Sequence, residues 1–239
     1  MRSWLIELSG DRTDLEEFPR WFPDGNMFAI EENGRFFLTG PDFDRMPSAE
    51  AVLNEASVAL DRFWAVISLL WPSLRKPTIS NVIQETDEGS RNTLILLSAS
   101  MTLRTKATGT LTVGAAPARP DPTQAQGLLN IAKQSPNLNA ALLAWAHPYR
   151  TWPQLYRIIE EIQGHLGASA SKAGLCSANE LTRLNHSANT AEVAGADARH
   201  ATGTWQPPAD PMSLEEATSF VADVLLKALQ KAAEPRHSV

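Results

Sequence analysis

The sequence predicts an α+β protein, with a small antiparallel α+β unit over residues 1–118 followed by an all-α helical bundle over 119–239. Three observations carry that prediction. Strand-like alternation and an Asn33-Gly34 turn occur only in the first part, and the apolar periodicity beyond Pro122 is helical throughout. Between them, Gly114 to Pro122 (GAAPARPDP) places three Pro and no large apolar residue in a row, the composition of a junction.

Each element has a local reason. Ser3 to Leu8 (SWLIEL) reads as a first strand, and Thr13 to Glu16 has the spacing of a capping box for a short helix that Pro19 and Pro23 cut off. Asn26 to Glu32 and Arg35 to Thr39 flank Asn33-Gly34, whose residues accept the positive φ angles of a tight hairpin turn. Ser48 caps a helix to about Leu70, because Val52, Ala56, Leu60, Phe63, Ile67 and Leu70 recur at steps of three and four. The sheet is expected to pack on this helix. Thr78 to Thr86 and Thr93 to Thr105 read as two further strands. In the second part, Gln124 to Lys133, Leu138 to His147 and Tyr156 to Leu166 have helical periodicity. Ser177 with Glu180 and Ser213 with Glu216 are capping boxes that open two more helices. The last of these, about Leu214 to Lys231, is expected to bury Leu214, Ala217, Val221, Val224, Leu225 and Leu229.

With 43% apolar residues in 239, the chain can build real cores. Its net charge of -6 speaks against an indiscriminate nucleic-acid or membrane-surface binder, which would carry a broad basic field. The imbalance belongs mainly to the first part, with 11 Lys and Arg against 16 Asp and Glu up to Ala118 and 10 against 11 beyond it. The single Cys176 cannot form an internal disulfide and suits a reducing compartment. Phe63 to Trp71, the longest apolar run, is about half of the roughly 20 residues that a membrane span requires. A cytoplasmic protein with no membrane association is the expectation.

The densest set of chemically capable residues lies in Glu180 to Ala217 (ELTRLNHSANTAEVAGADARHATGTWQPPADPMSLEEA). The connection Thr190 to Pro211 is longer than two packed helices need, and such connections are often functional. Arg199, His200 and Asp197 are the candidate catalytic residues, with Arg183, Asn185, His186, Asn189 and Trp205 as candidate substrate-binding residues. Near a scissile phosphate an Arg stabilises charge on the phosphorane oxygens, and a His of near-neutral pKa moves a proton, so neither a metal nor a cofactor is required. A structural reading of the same residues competes and is the simpler one: Arg199 pairs with Asp197 or a helix end, and His200 bonds a loop carbonyl.

Other chemistry has less support. Asp197 and His200 share a three-residue spacing, with His186 or Cys176 as further metal ligands, but HExxH, CxxC and HxH patterns are absent. Phosphate-binding glycine loops are absent too. A cluster of Trp145, His147, Tyr149, Arg150, Trp152 and Tyr156 could stack on unpaired bases. Core packing at a bent helix junction explains it more simply.

The order LYRIIEEIQGHLG, a shorter helix ending near an Asn, an Asp-x-Arg-His element and a final helix opened by SLEEA resembles the C-terminal part of HEPN-type helical domains, over about residues 125–231. The resemblance implies a helical bundle that homodimerises and acts as a metal-independent ribonuclease in antiviral defence, with an Arg four to six residues before a His. Here Arg183 precedes His186 by three and Arg199 adjoins His200, and family members without the motif are binding modules without catalysis. Two functions follow as expectations: an RNA-binding or RNA-cleaving module, or a non-enzymatic adaptor that docks a protein partner through the 190–211 loop.

Overall fold

A computed structural model describes residues 3–86, 90–95, 121–198 and 206–234. It shows an N-terminal mixed β-α unit followed by an all-α bundle. By compactness the chain forms two units, Met1–Ser57 with Arg75–Gln124, and Val58–Leu74 with Ala125–Val239. Residues 114–120 of the expected junction and 96–105 of the last expected strand lie outside the described residues.

The first unit holds β1 (Ser3–Ser9), α1 (Arg12–Leu15), α2 (Phe18–Trp21), β2 (Phe28–Glu32), β3 (Arg35–Thr39), α3 (Pro41–Asp44), β4 (Thr78–Glu85) and β5 (Arg91–Ile95). These strands form one antiparallel sheet in the order β2-β3-β1-β4-β5, so the first strand in sequence is the central one. The β2–β3 hairpin turns at Asn33 (φ 53°) and Gly34 (φ 75°), as their residue types require. The first short helix is capped two residues earlier than expected: Asp11, not Thr13, is the N-cap, and its carboxylate accepts the Thr13 N–H at 3.0 Å. The Thr13 hydroxyl donates to the same carboxylate at 2.7 Å, so it serves the Asp11 cap and is not itself the cap.

Apolar residues occupy both faces of the sheet. Ile6, Leu38 and Val82 are fully buried in register on one face, and Leu5, Phe37 and Ile83 form a smaller cluster on the other. On that second face Arg91 of β5 donates to both carboxylate oxygens of Glu32 on β2, at 3.0 and 2.8 Å. In a flat five-stranded sheet those edge strands would stand about 19 Å apart. The sheet is therefore strongly coiled, and the ion pair ties its two edges together.

Helix α4 (Ala49–Leu70) contributes to both units, its residues up to Ser57 counting with the sheet and those from Val58 with the bundle. Of the helix expected to cover the sheet, only that first part groups with it. Every residue from Phe63 to Leu69 is buried, which marks this stretch as an all-round core helix rather than an amphipathic one.

The bundle adds α5 (Pro122–Lys133), α6 (Pro136–Trp145), α7 (Trp152–Leu166), α8 (Ala178–Asn189), α9 (Ala191–Ala194) and α10 (Leu214–Ala233). α6 packs on α7, and α7 packs on α8 and α10. Asn137 donates to Glu161 at 3.0 Å and Ser135 lies 2.9 Å from His165 Nδ1, joining α6 to α7 at both levels. Within the same unit Trp145 Nε1 donates to Ser68 Oγ at 3.0 Å, and Arg62 donates to Asn139 at 3.1 Å. α7 begins at Trp152, earlier than its clearest periodicity, because the Gln154 side chain accepts the Thr151 N–H and closes the first turn. Along α10, Ala217, Val221, Val224, Leu225 and Leu229 are completely buried as expected. Leu214 is not: it remains 40% exposed. It lies at the extreme end of that stripe, and periodicity marks a helix face without saying where the neighbouring element ends.

Among the described residues no helix is long and apolar enough to cross a membrane.

Candidate functional site

The end of α8 and the start of α10 share a connected polar assembly. α8 opens with the expected capping box, in which Ser177 Oγ accepts the Glu180 N–H at 3.1 Å and Glu180 accepts the Ser177 N–H at 2.9 Å. Its apolar stripe, Leu181, Leu184 and Ala188, faces the core, and the sequence continues it with polar residues: Ser187, Asn189 and Thr190 are all at least 96% buried. Burial of polar groups demands partners. Ser187 Oγ accepts the Met212 N–H at 3.0 Å, Thr190 Oγ1 donates to the His186 carbonyl at 2.6 Å, and Asn189 Nδ2 donates to the Asn185 carbonyl at 2.8 Å. Asn189 Oδ1 is buried with no partner among the described residues.

Arg183 is the principal tie across this assembly. Its guanidinium makes a fork with Glu216 (2.7 and 3.1 Å), donates to the Asp210 carbonyl at 2.6 Å and lies 3.0 Å from the Asp210 carboxylate. The Glu216 hydrogen bonds, chiefly, hold its pKa above the ordinary guanidinium value. His186 Nδ1 donates to the Gln206 carbonyl at 3.3 Å. Segment 206–213 is thus pinned to α8 at three points: Gln206, Asp210 and Met212.

Of the residues singled out in the sequence, Arg183, Asn185, His186 and Asn189 come together along α8 and its covering segment. Asp197 ends an exposed 3₁₀ turn, Gly195–Asp197, after α9. Arg199, His200 and Trp205 lie outside the described residues. Sequence reasoning missed Ser187, Thr190, Asp210 and Glu216. A serine in the apolar stripe of α8 was the signal for the first; the others needed the fold.

A second feature adjoins the same end of α10. The 147–150 loop was expected to be core, but only its flanks are: Trp145 and Trp152 are buried, whereas His147 and Pro148 are exposed and Tyr149 is 77% exposed. Pro148 sits in this bend, and His147 Nδ1 holds it from 2.8 Å of the Tyr149 carbonyl. Arg150 turns inward instead, its guanidinium 3.8 Å from the centre of the Trp145 ring and its Nη2 donating to the Trp145 carbonyl at 3.3 Å. Burial pushes its pKa below the ordinary guanidinium value. Pro148, Tyr149, Leu214, Glu215, Thr218 and Ser219, with Arg150, line an open surface depression of about 570 Å³.

Cys176 is half-buried, and burial first, then the Glu180 carboxylate, raises its thiol above the ordinary value. A raised pKa leaves less thiolate near neutral pH, the opposite of nucleophile activation. Among the described residues no three His, Cys, Asp or Glu side chains converge as a metal site.

Compared with protein-family models, with curated proteins and with solved structures, the chain matches none. The meaning of the site therefore rests on its geometry.

Proposed function

We infer that the helical unit is a non-enzymatic docking module, an adaptor or assembly subunit that holds a protein partner at the N-terminal end of α10. The observation that carries this reading is where the charge goes. Arg183 is committed to Glu216 and Asp210, while the exposed apolar residues Tyr149 and Leu214 line one open depression immediately beside them. An exposed aromatic and an exposed aliphatic side chain on a fixed scaffold are the usual anchors of an interface. The test is reconstitution. A partner recovered by cross-linking in the native host is purified and titrated against the purified protein. Leu214→Glu is expected to weaken that complex at least about tenfold, or about 1.4 kcal/mol. Undiminished affinity in this variant refutes the surface.

A second reading, an RNA-binding or RNA-cleaving module of HEPN type, is favoured by the buried Asn189 Oδ1, which has no partner among the described residues and lies on the helix leading into the connection that carries Arg199 and His200. It requires affinity for single-stranded RNA that falls steeply with salt, as phosphate contacts dictate. It also requires that Arg199→Ala and His200→Ala abolish cleavage or binding without changing the thermal midpoint. A protein with no RNA affinity at low salt excludes it.

A further inference from the structure

We propose that the open depression between the 148–150 loop and the first turns of α10 seats a short amphoteric segment of the partner, which sets an apolar side chain against Tyr149 and Leu214, gives an acidic side chain to Arg150 and offers a basic one to Glu215. The proposal rests on the docking reading and names the chemistry of what is docked.

Arg150 supplies the positive half. Its guanidinium lies 3.8 Å from the centre of the Trp145 ring, and Trp145 is itself fixed by donating to Ser68 Oγ at 3.0 Å. Nη2 donates to the Trp145 carbonyl at 3.3 Å, and Nε is buried with no partner. Nη1 has no partner among the described residues and is not buried. No carboxylate there pairs with this side chain, and burial acts on its pKa with no acidic group opposing it. A half-buried cation without a counter-charge costs free energy unless something outside the chain supplies one. The ring holds the guanidinium plane and the carbonyl takes one N–H. The Nη1 edge is thereby left for a carboxylate oxygen, already oriented before anything binds.

Glu215 supplies the negative half. It is exposed, and its carboxylate has no partner among the described residues, whereas its neighbour Glu216 is held with Asp210 by Arg183. Glu215 and Arg150 line the same depression without pairing with each other. An occupant of one sign, such as a nucleotide phosphate or a polybasic tail, would gain from one of them and lose to the other. A segment that carries both signs gains from both. The apolar wall beside these charges is Pro148, Tyr149 and Leu214, and it is held in place. His147 closes the loop, and the Ser213 cap fixes the first turn of α10 by accepting the Glu216 N–H at 3.1 Å. About 570 Å³ accommodates one or two side chains, the contribution of a segment. A stable interface between globular copies covers roughly 800 Å² on each partner.

The full-length protein, isotopically labelled, is titrated by NMR with synthetic octapeptides, blocked at both termini, that carry Glu-Phe-Leu-Lys or Lys-Phe-Leu-Glu between Gly-Ser and Ser-Gly. Resonances of Tyr149, Arg150, Leu214 and Glu215 are expected to shift saturably with the better of the two orders, with Kd below about 1 mM. Changing its Glu or its Lys to Gln is expected to weaken binding about threefold each, the worth of one exposed ion pair. Changing Phe-Leu to Ser-Ser should abolish it. In Glu215→Gln, an exposed position where the fold is retained, the peptide's Lys is expected to lose its advantage while its Glu keeps it, which assigns the Lys to Glu215. The peptide changes read the Arg150 contact without altering that side chain, whose packing on Trp145 a substitution would disturb. The proposal fails if neither peptide moves these resonances, or if a Lys-Phe-Leu-Lys or Glu-Phe-Leu-Glu peptide binds as tightly. It fails equally if they move instead with free phenylalanine, with an RNA octamer or with protein concentration alone, which would assign the depression to a small zwitterion, a nucleobase or a second copy. Failure here with a reconstituted partner still sensitive to Leu214→Glu overturns the chemistry of the occupant and leaves the docking surface standing.

Discussion

Leu225→Ala and Leu214→Ala make the same chemical change on the same helix, and their difference measures what burial is worth in the bundle. Leu225 is completely buried and Leu214 is 40% exposed. Removing three carbons from a fully buried site forfeits about 2.4 kcal/mol of transfer free energy at ~0.8 kcal/mol per methylene. The cavity left behind brings the total to about 3–5 kcal/mol. At Leu214 only the buried fraction counts and the open depression adds no new void, so about 1–1.5 kcal/mol is expected. Ser213→Ala, which removes the hydroxyl that caps the Glu216 amide, should cost about 1 kcal/mol and serves as an internal ruler. Chemical denaturation followed by circular dichroism at 222 nm gives all three values from the midpoint and slope. In a thermal melt the Leu225 change corresponds to a drop of roughly 6–20 °C, at about 2–4 °C per kcal/mol for a chain of this size. Equal losses at Leu225 and Leu214 would refute the placement of α10 in the core.

Two further outcomes test the sheet unit. Gly40 has φ 138°, and a Cβ there would lie 2.3 Å from the Asn26 carbonyl oxygen, so Gly40→Ala must both strain φ and push the chain off β2; it is expected to cost more than about 2 kcal/mol by denaturant titration, and a neutral result would disprove the close approach. Glu7, only 14% exposed, is held below the ordinary carboxylate value first by its 2.7 Å hydrogen bond from Arg35 and then by Asn81. A lowered folded pKa means that the unfolded state protonates first: the stabilisation is complete above the unfolded value of about 4.3 and is lost as pH falls through the folded value. Stability measured from pH 7 to pH 2.5 should therefore fall less steeply below about pH 4.5 in Glu7→Gln than in the parent, and identical slopes would show that the pair contributes nothing.

Local physics made the main divisions of this chain readable. Asn33-Gly34 could only turn, because few other pairs accept two positive φ angles, and the capping box at Ser177 and the N-cap at Ser213 start their helices where spacing placed them, although Glu216 gives its carboxylate to Arg183 and leaves the second box half-formed. The α10 stripe from Ala217 to Leu229 is buried throughout because a 3.6-residue repeat leaves an amphipathic helix one way to face its core. What the sequence could not decide were relations between distant residues. β1 is the centre of its sheet, and the Arg91–Glu32 pair ties opposite edges, because pairing order depends on coiling and not on any local signal. Arg183 looked like a substrate residue by type. Only the fold, by bringing Asp210 and Glu216 from about thirty residues away onto one guanidinium, makes it a clamp. Likewise Tyr149 and Leu214 read as core by composition and periodicity, yet both are exposed and line one open depression. Propensity and periodicity act within a few residues and so can be read along the chain. Burial and pairing are properties of whatever packs alongside, and tertiary structure alone supplies that neighbour.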